Sequence, residues 1–251
     1  MARPYIGVTG FMKLREAEHI LNRFPLTSKY AMMVGVLASQ KTMRGIKNRR
    51  TNRYPEPDKV KKIFPDHPLA LNLVHYNTKE PETLCRQLLD IVQIAGPYFH
   101  GFQLNFVWPD PCQLDLYSEN SLKRRIVLQV SERAFEMIGH SPQKLADKIR
   151  REYPGVDYLI LDPSGGYGKL MDVGKLREYL SELYARDLRV KPVIAGGLSP
   201  ETLDLIRPLV EEFPDLSIDA ESRLRDSEDN LDLNIASEYA TKALRIFGQL
   251  R

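Results

Sequence analysis

Eight short apolar runs rich in Val, Ile and Leu recur along the chain, with amphipathic stretches between most of them. They are YIGVTG (5–10), YAMMVGVLA (30–38), LALNLVHYN (69–77), GFQLNFV (101–107), RIVLQVS (125–131), DYLILD (157–162), KPVIAGG (191–197) and LSIDAE (216–221). Such runs do not alternate cleanly between apolar and polar residues, which is the pattern of strands covered on both faces. The segments between them carry apolar residues at helical spacing, as in Leu14, Ala17, Ile20, Leu21 and Phe24, or Leu84, Leu88, Ile91, Val92 and Ala95. Ser141–Pro142 and Ser199–Pro200 pair a cap with a first-turn proline, and Asp172 caps the segment that follows it. Strands alternating with helices predict a parallel α/β fold, and eight strands are the number that closes a (β/α)8 TIM barrel. An open doubly wound sheet competes, but IGVTGF offers Gly7 and Gly10 without the third glycine of a dinucleotide-binding turn. The expectation is one barrel over residues 1–251, with long loops after the second strand (39–58) and the fourth strand (108–120).

Composition excludes several classes of protein. Apolar residues make up 43% and charged residues 27%, an ordinary globular balance, and the net charge is only +3. Basic residues are nevertheless concentrated: nine lie between Lys41 and Lys62, opposed by Glu56 and Asp58 alone. A run of this kind is either solvated surface or an attractor for anions. Only Tyr54 and Phe64 interleave with it or lie beside it, too few to stack exposed bases, so nucleic acid is not expected as a partner. Cys85 and Cys112 stand far apart and predict neither a zinc site nor a disulfide scaffold. The N-terminus lacks the apolar core of a signal peptide, and no apolar run approaches a membrane span, so a cytoplasmic protein without a membrane partner is expected. No cofactor and no metal are expected, and a homodimer is allowed.

In a barrel of this kind the chemistry sits at the C-terminal ends of the strands. Those ends offer Thr9 and Gly10, then Lys41 and Arg44, His75 and Asn77, Gln103 and Asn105, and Gln129 and Ser131. Later strands add Asp162 with its glycine-rich loop, Gly196 and Gly197, and finally Asp219, Glu221, Ser222 and Arg223. The stretch VIAGGLSPETL is the strongest local signal, because paired glycines let backbone N–H groups approach an anion without a Cβ in the way. Ser222 and Arg223 would complete that phosphate pocket. Asp162, at a buried strand tip, suits proton transfer, with an Asx-turn as the alternative. SGGYGK after it fails the spacing of a nucleotide P-loop, since Leu170 stands where a magnesium-binding hydroxyl belongs.

Four segments together resemble phosphoribosylanthranilate isomerases: LDPSGGYGKLMD, IAGGLSPETL, VGVLASQKTMR and, more weakly, SIDAESRL. The resemblance implies a general acid at Asp162 and substrate contacts from Arg44, Gln103, Gly166 and Gly168. It also implies phosphate binding by Gly196, Gly197 and Ser222, with Arg223 standing where the family has a glycine. The family's catalytic base is a cysteine in its first strand, and here that position is Thr9, whose hydroxyl cannot supply an appreciable anion near neutral pH. The chain is thus expected to be a divergent barrel that binds a phosphorylated small molecule, a sugar-phosphate isomerase with altered chemistry. Two alternatives stand beside it: a catalytically silent phosphometabolite-binding protein, and a barrel that contacts polyanions through its basic 41–62 segment.

Overall fold

A computed structural model of the chain describes residues 2–163 and 172–250. Eight parallel strands close into a barrel in sequence order: β1 (Tyr5–Thr9), β2 (Ala31–Ser39), β3 (Ala70–Asn77), β4 (Gly101–Leu104), β5 (Arg125–Ser131), β6 (Tyr158–Asp162), β7 (Lys191–Ala195) and β8 (Ser217–Ala220). β1 pairs with β2 on one side and with β8 on the other, which is the closure expected from the eight apolar runs. Around the barrel run α1 (Leu14–Leu21), α2 (Gln40–Met43), α3 (Leu84–Ala95), α4 (Pro111–Asn120), α5 (Glu132–Met137), α6 (Pro142–Glu152), α7 (Val173–Ala185), α8 (Arg207–Glu212) and α9 (Leu233–Ile246). No helix among the described residues is long and apolar enough to cross a membrane.

Because successive strand residues face opposite sides, the core divides in two. Ile6, Val8, Met32, Val34, Leu159, Leu161 and Ile218 point outward and pack under the helices in one large cluster. Tyr5, Met33, Leu73, Val127, Tyr158, Ile160 and Val193 point inward and fill the lower lumen as a separate cluster. This is a filled core and not a channel. The glycines of β1 and β2 make room higher up. A Cβ on Gly7 would lie 2.7 Å from the Asp219 carboxylate, and one on Gly35 would lie 2.3 Å from Thr9 Oγ1.

Two expectations about connections need correction. Residues 108–120 are not a long loop, since most of them form α4. Asp110 caps it by accepting from the Cys112 N–H, and Pro111 occupies the first turn. Tyr117 is the one fully buried side chain of α4, so the sequence lacks the apolar stripe that reveals a helix. Residues 39–58 comprise the last residue of β2, α2, the start of a 3-10 turn at Pro57–Lys62 and an irregular stretch between those two helical pieces. The segment opening at Ser199–Pro200 does not start an α-helix at once. Thr202 Oγ1 accepts from the Ser199 N–H and donates to the Gly197 carbonyl, closing a tight turn before a short 3-10 segment (Leu203–Ile206) and α8. By contrast, Ser141 and Asp172 cap α6 and α7 through the Lys144 and Lys175 N–H groups.

Candidate functional site

The inward-facing level above the apolar lumen is mostly polar. Thr9 on β1, His75 on β3, Gln103 on β4, Gln129 on β5, Asp162 on β6 and Asp219 on β8 are all buried. They form a hydrogen-bonded chain across the mouth. Gln103 Nε2 donates to Asp219 Oδ2 at 3.0 Å and to Gln129 Oε1 at 3.3 Å. Gln129 Nε2 donates in turn to Asp162 Oδ2 at 2.9 Å. Thr9 Oγ1 donates to Asp219 Oδ1 at 3.3 Å. Two carboxyls on different sides of the barrel are therefore joined through two amides.

Asp219 is the electrostatic centre of this row. Register places it beside Gly7 on β1 and Ala195 on β7, both small, so its carboxyl sits inside the lumen. Burial pushes its pKa up to about 7, against the opposing hydrogen bonds from Gln103 and Thr9. Glu221 and Asp162 raise it further by charge repulsion. His75 goes the other way: burial lowers its pKa and keeps the imidazole neutral, although Glu221 and Asp162 pull against that shift.

A cleft of about 70 Å³ opens onto this row, lined by His75, Gln103, Gln129, Asp162, Asp219 and the β7 and β8 turns. Gly196 and Gly197 hold φ of 102° and 68°, in the left-handed region that favours glycine. Their backbone lines the cleft together with Ser222 and Arg223. The residues expected to bind phosphate thus stand on the same cleft as Asp162 and Gln103. Thr9 lies beneath it, reaching it only through Asp219. Gly166 and Gly168 lie outside the described residues.

Arg44 is not at the cleft. It forms a two-pronged pair with Glu80 on the rim, at 3.0 and 2.8 Å, with its side chain 59% exposed. Another arginine of the same basic segment crosses the mouth instead. Arg53, only 9% exposed in its side chain, donates to Glu221 Oε1 at 2.6 Å and makes a forked pair with Asp229. Arg225 continues the strap by donating to the Asp229 carbonyl and to the carbonyls of Thr9 and Gly10. No local pattern distinguishes Arg53 from its eight basic neighbours, so only the path of the loop reveals it. Asp219 and His75 could be found by counting every second residue along β8 and β3.

The architecture is that of the parallel (β/α)8 barrels with a polar mouth at the strand C-termini. No protein-family model and no curated protein matches the chain. Among solved structures, it is similar to phosphoribosylanthranilate isomerase from Thermus thermophilus, with 14% identity, a TM-score of 0.65, and 96% of this chain and 98% of that one covered. The enzyme from Thermotoga maritima is similar at 19% identity and a TM-score of 0.64 over the same shares. A Clostridium thermocellum protein that binds two copies of 5-methyl-5,6,7,8-tetrahydrofolic acid aligns at 9% identity and a TM-score of 0.50, covering 95% of this chain and 96% of that one. The expected likeness to phosphoribosylanthranilate isomerases is thus met at the level of the fold.

Proposed function

We propose that the cleft binds a phosphorylated small molecule and shifts a hydrogen between two of its neighbouring carbons, with Asp219 serving the carbons and Asp162 the oxygens. The observation that carries this reading is the buried hydrogen-bonded chain that joins Asp219 to Asp162 through Gln103 and Gln129, in which burial pushes the Asp219 carboxyl up to about 7. A carboxyl with that pKa is a base matched to neutral solution, which Thr9 is not. The phosphate would sit on the Gly196–Gly197 turn with Ser222 and Arg223 beside it, where the paired glycines put no Cβ in the way of an anion. The body of the ligand would then lie across the polar row.

The chemistry is a balanced shift of two hydrogens. Asp219 takes a proton from the carbon next to a carbonyl, and Asp162, in the role of general acid, gives one to the carbonyl oxygen. The resulting enediol collapses when Asp219 returns its proton to the former carbonyl carbon and Asp162 removes one from the neighbouring hydroxyl. Gln103 and Gln129 keep the two carboxyls in register without carrying charge themselves.

The test is deuterium incorporation. Incubating the protein in D2O with a set of hydroxy-carbonyl phosphates, with mass spectrometry as readout, should show exchange of a carbon-bound hydrogen for at least one of them. Asp219→Asn and Asp162→Asn should each slow that exchange by about 10²–10⁴-fold. Binding without exchange across the whole set would sink the proton-transfer reading and leave a silent phosphometabolite-binding barrel.

A further inference from the structure

Among the described residues, three buried polar atoms of the cleft lining have no hydrogen-bond partner: Nδ1 and Nε2 of His75, and Oε1 of Gln103. His75 is 5% exposed and Gln103 1%, and both line the cleft. Glu221 Oε2 lies 3.8 Å from His75 Nδ1, beyond hydrogen-bond distance. Rotating the Gln103 amide would not cure its orphan, because its Nε2 already serves two acceptors, Asp219 and Gln129. A neutral imidazole offers one donor and one acceptor, and Gln103 Oε1 needs a donor. Leaving such groups dry and unpaired costs stability, so a ligand that pairs them gains what the empty protein forgoes.

We propose that His75 and Gln103 are specificity-determining contacts that select a hydroxyl-bearing, non-aromatic body for the phosphorylated ligand. A hydroxyl group both gives and accepts a hydrogen bond, and two on adjacent carbons answer all three orphaned atoms. An aromatic ring answers none of them. Among the described residues lining the cleft there is no Phe, Tyr or Trp to stack on one, only Ala195, Leu198 and Ala220 between polar groups and glycines. The ligand class is therefore a sugar or polyol phosphate, and His75 discriminates it from an aromatic phosphate. This assignment rests on the phosphate reading of the opposite end of the cleft.

The experiment follows the His75 ring signals by NMR while the intact protein is titrated with ribose 5-phosphate, phenyl phosphate, inorganic phosphate and ribitol. Ribose 5-phosphate should shift the ring signals and bind at least about 10-fold more tightly than phenyl phosphate. In His75→Phe, which keeps a flat aromatic ring but removes both nitrogens, that preference should fall by about 10-fold while affinity for inorganic phosphate is unchanged. Equal or tighter binding of phenyl phosphate to the natural protein would overturn the assignment while leaving the phosphate reading intact. An unchanged preference in His75→Phe would overturn it as well. If ribitol shifts the ring signals and no phosphate compound binds, the phosphate reading fails and the hydroxyl contact stands. Ring signals that no probe moves overturn both.

Discussion

The lower and upper halves of the barrel lumen are built by the same strands with the same alternation, two residues apart, yet they obey different rules. Below, Leu73, Val127, Ile160 and Val193 meet as an apolar cluster in which shape is the main variable. One step up the same strands, His75, Gln129, Asp162 and Ala195 line the cleft. The lower layer gains by excluding water. The upper layer gives up some of that gain, holding Asp219 at about 7 and leaving His75 and Gln103 partly unpaired. The apolar and the polar level are thus separated by one step of the strand alternation. Stored cost of this kind is a usual mark of a working site.

The comparison can be broken most sharply from below. Leu73→Ala, at a fully buried lumen position, should cost about 2–5 kcal/mol of unfolding free energy in denaturant titration. The same variant should leave ribose 5-phosphate affinity within about twofold, and a large loss of affinity would show that the layers are not independent.

Asp219→Asn tests the upper layer by its pH dependence. Folding raises this carboxyl from an ordinary value of about 4 to about 7, so between those values the folded chain keeps a proton that the unfolded chain has released. The stability carried by protonated Asp219 is whole below about pH 4 and is lost as pH climbs through about 7. The advantage of the Asn variant over the natural protein should accordingly grow between pH 4 and pH 8, by about 2–4 kcal/mol. Thermal melts across that range that run parallel for the two proteins would mean Asp219 titrates normally.

A smaller effect is expected at the strap over the mouth. Arg53→Met leaves Glu221 and Asp229 without their shared cation and should cost about 1–3 kcal/mol, since both acids keep some contact with water. Arg44→Met, on the rim, should cost at most about 1 kcal/mol. Equal losses in the two would deny Arg53 its special place.

Thr9→Val should be a mild change within the polar row, about 0.5–1.5 kcal/mol, because one hydrogen bond to Asp219 is removed at near-constant volume. That bond favours the charged carboxylate, so its loss should move the alkaline-rising limb of the exchange rate to higher pH. A limb that stays in place would separate Thr9 from the proton-transfer step.

Much of this arrangement was legible in the sequence because its causes are local. Strands covered on both faces need apolar runs, so eight such runs with helices between them led to the barrel. The strand tips then followed, including Asp162, Gln103 and the Gly196–Gly197 turn. α4 escaped notice because little of its surface is buried, and helical periodicity is visible only where one face is apolar. Arg44 was singled out from its motif, while Arg53 was hidden inside a run of like charges.

The sequence by itself determined strand number, order, and which residues face inward, since a period of two is a property of the backbone. Only the tertiary structure decided how deeply those residues are buried, which arginine pairs with Glu221 beside the cleft, and that Asp219 and His75 are shifted in opposite senses. Those outcomes depend on desolvation and on charges brought from distant strands: Asp219 meets Gln103 across 116 positions of chain, and Arg53 meets Glu221 across 168. No local pattern can encode a contact whose two partners are that far apart.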